Sequence, residues 1–288
     1  MRLAAIYNVW SDSELLQHSI GNIISLVDGV IVIFSRKSNS GEIDTCYDSA
    51  KYIGVVNNPH EIWTFLSVQW ENLEPDLSLA PSVNERAKRN FGLQKARELG
   101  FTHFIMMDAD EFYEPEPLLR EKQRFIDNPD LLGLVCELKC YFKNSTLTVP
   151  DKTLVPFIHK ITPDLKFEWN TKYPFAFEGV KREIRIDPTR MLNINSGVIW
   201  SDIIMHHYSW VRSDIQKKIR NSTARQNIEN STIVKDYLNA KAGYYCEFYK
   251  ATIESCENLF NLPEIIDYGL ISSQNREPSE TTDNDNPS

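Results

Sequence analysis

The chain has 288 residues, 42% of them hydrophobic and 25% charged, with a formal net charge of −9. That is enough apolar material for a sizeable core within one open α/β unit, and the acidic balance excludes a general nucleic-acid binder, which presents a basic face to phosphates. No apolar run approaches the roughly 20 residues that span a bilayer.

The first element is a short buried strand over residues 3–9, LAAIYNV. A helix follows, with Leu15, Leu16, Ile20, Ile23, Ile24 and Val27 at helical spacing. Ser11 and Glu14 form an S-x-x-E capping box at its start. GVIVIF, residues 29–34, is then a second strand, apolar throughout as strands covered on both faces are. This β-α-β opening predicts a parallel pair with a right-handed crossover.

Residues 35–60 read as loop, and IWTFLSVQW, 62–70, as a strand or its flank. After two prolines, SVNERAKRNFGLQKARELG forms a clear helix, with Ser82 and Glu85 as a second capping box and Gly100 as its stop. It feeds the strand FTHFIMMDADEF. A charged helix to about Asn128, a strand over 131–142 and shorter strands in PFIHKI, KREIRI and GVIWSDIIMHHYSW come next. The pattern is helical again from Ser213 to about Leu259, and the polar tail, 273–288, reads as disordered. The fold class is α/β, with a mixed, mostly parallel, Rossmann-like sheet flanked by helices and a C-terminal helical region.

Five cysteines without a C-x-x-C pair suit reduced thiols better than a disulfide framework or a zinc site. The N-terminal MRLAAIYNVWSDSELL lacks the apolar core and cleavage site of a signal peptide, so a cytoplasmic location is expected.

The chemistry concentrates in FIMMDADEFYEP, residues 104–115. Open α/β sheets gather ligands at the carboxyl ends of their parallel strands, and Asp108 and Asp110 fall at such an end. Two carboxylates one residue apart can reach one divalent cation, and hard oxygen ligands suit Mg²⁺ or Mn²⁺. The D-x-D triplet alone is weak: Asp283 and Asp285 repeat it in the tail with nothing apolar before it. Its meaning lies in the strand that precedes it. Arg86, Lys88, Arg89 and Asn90 lie near the start of the preceding helix, where Arg86 and Arg89 could hold a diphosphate or set the aspartates' geometry. A solvated basic face is the alternative reading, and for Lys88 an equally good one.

The β-α-β start, the RN-F-G helix and FIMMDADEFY together resemble the nucleotide-sugar-binding half of GT-A glycosyltransferases, in particular the family 2-like group. The resemblance covers residues 1–115; 116–272 would then form an acceptor half with C-terminal helices. It implies a metal-dependent transferase that moves a sugar from a nucleotide-sugar donor to an acceptor hydroxyl, a glycan first among acceptors. The expected cofactor is Mn²⁺ or Mg²⁺ on Asp108 and Asp110. GT-A enzymes often add a late histidine, so His206 or His207 in MHHYSWVRSDIQKKIRN is a candidate ligand. Strand alternation puts the two on opposite faces, and the HYSWVR segment favours His207. Candidate donor contacts are Asn8, Arg86, Arg89 and Asp108, with Lys217 and Arg220 from a basic element that also holds Arg212 and Lys218. An inverting reaction needs a base; Glu178, after the aromatics of PFAF, is the first candidate, followed by Glu183 and Asp164. The family's usual base-bearing E-D pair has no counterpart here.

Two other readings share these features. A sugar nucleotidyltransferase would use a similar sheet and acidic metal ligands, but normally shows a glycine-rich phosphate loop, which IYNVWSDSE lacks. A non-catalytic sugar- or nucleotide-binding protein could keep the fold, yet has no need for the D-x-D, late histidine and basic helix together.

Overall fold

A computed structural model describes residues 1–10, 13–43, 68–170, 173, 185–222 and 232–267. One ten-stranded sheet dominates it. β1 (Leu3–Val9) lies between β2 (Gly29–Phe34) and β4 (His103–Asp108), and β3 (Val68–Asn72) adds to β2; all four run parallel. β7 (Leu147–Lys160) pairs antiparallel with β4 and with β6 (Gly133–Phe142). β9 (Val198–Trp210) is parallel to β6, and the two-residue β5 (Glu111–Phe112) closes the order 3-2-1-4-7-6-9-5. β8 (Arg185–Ile186) adds beside β7. This is the mixed, mostly parallel α/β sheet that the sequence predicts.

The apolar strands are apolar because helices cover both of their faces. Leu3, Ala5, Tyr7 and Val9 of β1 belong to a core with Leu16, Ile20 and Ile23 of α1 (Ser13–Ile23) and with Leu118 and Phe125 of α3 (Pro115–Asp127). Ala4 and Ile6 belong to a second core with Leu93 and Ala96 of α2 (Pro81–Glu98). Period-two alternation thus sends successive residues of one strand into two different cores. α2 comes in so close that a Cβ on Gly92 would lie 2.4 Å from Cγ2 of Ile6, so a glycine is needed there.

α2 begins differently from its predicted start. Pro81 occupies its first turn and Ala80 its N-cap, with no side-chain cap, so Ser82 lies inside the helix. Proline opens a helix well because its fixed φ fits and its missing N–H is not needed there. Glu85, freed of a capping role, accepts from Nη2 of Arg89 at 2.7 Å. Gly100 does end this helix, at φ +74°, the left-handed geometry that glycine adopts without strain. Ser11 of the other capping box, most of the 62–70 strand and the 273–288 tail lie outside the described residues.

Among the described residues, the helical pattern after Ser213 resolves into α4 (Ile215–Asn221) and α5 (Ile233–Asn239). It stops well before Leu259. Beyond α5 come β10 (Tyr245–Cys246), β11 (Ala251–Thr252) and β12 (Glu254–Ser255), the last added to β7. The Asp236 carboxylate causes this turn: it accepts from the Phe248 amide at 2.9 Å and the Tyr244 hydroxyl at 3.0 Å. Those bonds fold the chain back on α5, and Gly243 allows it at φ +83°. Cys136, Cys140, Cys246 and Cys256 are free thiols. Among the described residues no helix is long and apolar enough to cross a membrane.

Candidate active site

Because β1, β2 and β4 are parallel, their carboxyl ends lie side by side, with Asn8 of β1 in register between Ile33 and Asp108. Lys88 ties two of these ends together. Its buried ammonium donates to the Val9 carbonyl at 2.9 Å and to Oγ of Ser35 at 3.1 Å. Burial draws its pKa down to about 8. It is therefore no solvated basic face but part of the frame. Asn90 is framework too: its amide exchanges hydrogen bonds with the Phe167 backbone, at 2.7 and 2.9 Å.

β4 then delivers Asp108, and after a two-residue turn β5 places Glu111 beside β9. Glu111 pairs with His207 and Phe112 with His206, while the Tyr208 amide donates to the Asp110 carbonyl at 2.8 Å. The D-A-D-E turn is thus fastened to β9 over adjacent residues. His207 shares the acidic face, its Nε2 3.4 Å from Oδ2 of Asp110. His206 faces the other way, with Nδ1 2.9 Å from the Tyr141 hydroxyl and a ring edge-on to Phe260.

Three arginines meet the three carboxylates. Arg190, 2% exposed, donates to both oxygens of Glu111, to Oδ2 of Asp108 at 2.8 Å and to the Met106 carbonyl at 3.0 Å. Its Nε stands 3.3 Å from Asp187. Arg89 reaches Oδ2 of Asp108 at 3.4 Å. Arg212 donates to Oδ2 of Asp110 and, through Nε, to the Ser209 carbonyl at 3.1 Å. Taking charges out of water is costly unless they are paired and hydrogen-bonded; every charge here has an opposite partner, while Nε and Nη1 of Arg89 and Nε of Arg190 make no hydrogen bond among the described residues.

The titration behaviour follows. Burial would raise both aspartates, but Arg89 and Arg190 hold Asp108 low, and Arg212 with His207 holds Asp110 well below the usual carboxylate range. Burial raises Glu111 against the pull of Arg190. Burial also works against charge on His207, yet Asp110 and Glu111 push its pKa above the ordinary value. His206, whose Nε2 stands 3.6 Å from the exposed Glu114 carboxylate, is still drawn down to about 4 by burial and then by Lys139.

The donor set suits a divalent cation. Asp110, Glu111 and His207 each offer a ligand atom, all within 4.8 Å of one another. Oδ1 of Asp108 is buried with no hydrogen-bond partner, an uncommon state for a carboxylate oxygen unless something else binds it. Both Glu111 oxygens already serve Arg190, which makes Asp110 and His207 the better ligands of this group. Two hard oxygens and an imidazole nitrogen fit Mn²⁺ well and Mg²⁺ acceptably.

The remaining candidates are more scattered. Arg86 is half-exposed on α2, and of the two arginines Arg89 is the one on Asp108. Lys217 places its ammonium 5.1 Å from the Trp10 ring centroid, and Arg220 lies exposed, 3.4 Å from Glu42. Asp164 accepts from the Thr162 hydroxyl in an exposed turn. Glu178 and Glu183 lie outside the described residues. Sequence reasoning missed Arg190. The available signal was its turn, DPTR, where Oδ1 of Asp187 accepts from the Thr189 amide and hydroxyl at 2.9 and 2.8 Å, an Asx turn that fixes the arginine's backbone.

No protein-family model and no curated protein matches the sequence. Among solved structures, S. aureus TarS 1–349 matches over 83% of this chain and 71% of its own, at 14% identity and a TM-score of 0.43. The same fragment in complex with UDP-GlcNAc matches over 49% of this chain and 35% of its own, at 16% identity and a TM-score of 0.33. A 4-diphosphocytidyl-2C-methyl-D-erythritol synthase matches over 47% of this chain and 60% of its own, at 15% identity and a TM-score of 0.32. The chain spans 22% of the longer TarS structure.

Proposed function

We propose that this chain is a metal-dependent glycosyltransferase that moves a sugar from a nucleotide-sugar donor to an acceptor hydroxyl. The group of Asp110, Glu111 and His207, whose ligand atoms lie within 4.8 Å of one another where the carboxyl ends of parallel strands meet β9, carries the reading. That edge is where open α/β sheets hold their ligands.

The chemistry needs little else. Breaking a sugar–phosphate bond leaves a nucleoside diphosphate with extra negative charge, and a divalent cation at Asp110 and His207 would supply the charge that stabilises it. Arg190 and Arg89 fix the position of Asp108. Lys88 holds the ends of β1 and β2 in place for the nucleotide, with Asn8 next to Asp108 as a donor contact. The acceptor hydroxyl needs a base if the reaction inverts, and Glu178 remains the first candidate.

The deciding experiment is binding of UDP, GDP and CDP with and without Mn²⁺, followed by turnover of a donor panel that includes UDP-GlcNAc. Mn²⁺-dependent binding, its loss in Asp110→Ala and release of a nucleoside diphosphate support the reading. Binding unchanged in Asp110→Ala sinks the site assignment. Pyrophosphate release points to a nucleotidyltransferase instead, and binding without turnover to a binding protein.

A further inference from the structure

We infer that Phe260 is a positioning residue: the segment 256–267 carries its ring onto the reverse side of β5 and β9 and so keeps Asp110 and His207 facing each other. The register follows from the packing alone, and the consequence for a bound ion rests on the function proposed above.

β5 is two residues long, and so short a strand makes few ladder bonds of its own. Its register nevertheless decides the chemistry. Glu111 lies opposite His207 and Phe112 opposite His206. A slip of one residue along β9 would turn His207 away from the carboxylates and bring His206 to them. α1 holds the backbone on one side: Oγ of Ser19 donates to the Glu111 carbonyl at 2.6 Å, and the Asn22 side chain exchanges two bonds of 3.0 Å with the Tyr113 backbone. Those three bonds fix β5 to α1 and leave its relation to β9 to other contacts.

Phe260 spans that join. Its ring centroid lies 5.1 Å from that of Phe112 and 5.0 Å from that of His206, tilted on the first and edge-on to the second. It also meets Tyr208, the next residue on this face of β9, edge-on at 6.3 Å. Such separations and angles are favourable for aromatic pairs. One side chain thus backs both members of the pair that follows Glu111 and His207, within a cluster that takes in Leu15 of α1, Val211 and Leu262.

The segment is shaped to present this ring. The Cys256 amide donates to the Thr146 carbonyl at 2.8 Å, beside the start of β7. Asn258 then closes a tight loop, accepting from the Leu262 amide at 3.0 Å and donating to the Leu262 carbonyl at 2.8 Å. Asn261 turns that loop at φ +50°, a left-handed geometry that asparagine tolerates better than most residues. Phe260 stands at the centre of the loop, and buried Leu262 anchors its far end.

The test compares the wild type with Phe260→Ala, Phe260→Leu and Asn258→Ala, each as the full chain. Amide hydrogen exchange needs no metal. The Tyr208 amide, which donates to Asp110 across the join, should exchange about tenfold faster in Phe260→Ala, while the amides of β1 keep their rates. Mn²⁺ binding, followed by electron paramagnetic resonance, should weaken about tenfold in the same variant. It should weaken less in Asn258→Ala and return towards the wild type in Phe260→Leu, which restores apolar bulk. Should Phe260→Ala unfold, Asn258→Ala decides by the same two readings, since it frees the ring without removing it. Exchange that speeds up in β1 as much as at Tyr208, or Mn²⁺ affinity unchanged in the folded variants, overturns the inference. Faster exchange confined to Tyr208 with no Mn²⁺ bound by any form, wild type included, supports the inference and removes the metal-dependent reading instead.

Discussion

His206 and His207 are neighbours on one strand, yet the two faces of β9 give them opposite electrostatics. His207 looks onto a corner crowded with paired charges and is held towards its protonated form by Asp110. His206 looks into aromatic packing, where Tyr141 and Tyr208 stack at 3.9 Å between centroids, and is kept neutral. The contrast shows what a sheet can do with a period of two: a single step along the chain moves a side chain from reactive polar surroundings into packing.

The largest effect should come from breaking the polar side. Arg190→Met leaves buried Glu111 and partly buried Asp108 without their shared partner, and removing one member of a buried ion pair costs about 3–5 kcal/mol. Chemical denaturation measures it; a loss under about 1 kcal/mol would mean that the corner is far wetter than its burial indicates. The contrast is next sharpened by following the two imidazoles in an NMR pH titration. His206 should titrate near 4 and His207 above its ordinary value of 6.5. The signs follow from linkage. The fold refuses a proton at His206 that the unfolded chain accepts below pH 6.5, so this site costs stability as pH falls from there towards about 4. Protonated His207 contributes stability that is full below pH 6.5 and is lost as pH rises through its raised value. His103 and His159, also depressed by burial, to about 4 and about 3, steepen the acid limb in the same direction as His206. Two imidazoles titrating together would erase the distinction. The smallest effect belongs to the aromatic side: Tyr141→Phe removes one hydrogen bond to His206 and should cost about 1 kcal/mol, with Mn²⁺ binding unchanged.

What could be read from sequence follows the same division. β1, α1, β2, α2 and β4 were legible because burial on both strand faces and on one helix stripe leaves unbroken patterns in the residues themselves. Asp108 and Asp110 were legible because a strand of that kind ends on them. The Ser82 capping box was not, since Pro81 outcompetes it for the helix start. Nor was Arg190, whose partners lie about 80 positions away along the chain and meet it only through sheet order. The two histidines show the limit most clearly: alternation says that they part, but only the pairing of Glu111 with His207 says which one meets Asp110.

Lys88 has one more consequence. Its ammonium, bonded to Val9 and Ser35, stitches the ends of two strands together before any ligand arrives. The entropy of ordering that edge is therefore lost once, on folding, and not again at each encounter with a ligand. For the transferase proposed above, such preorganisation would leave more of the binding energy for the transition state.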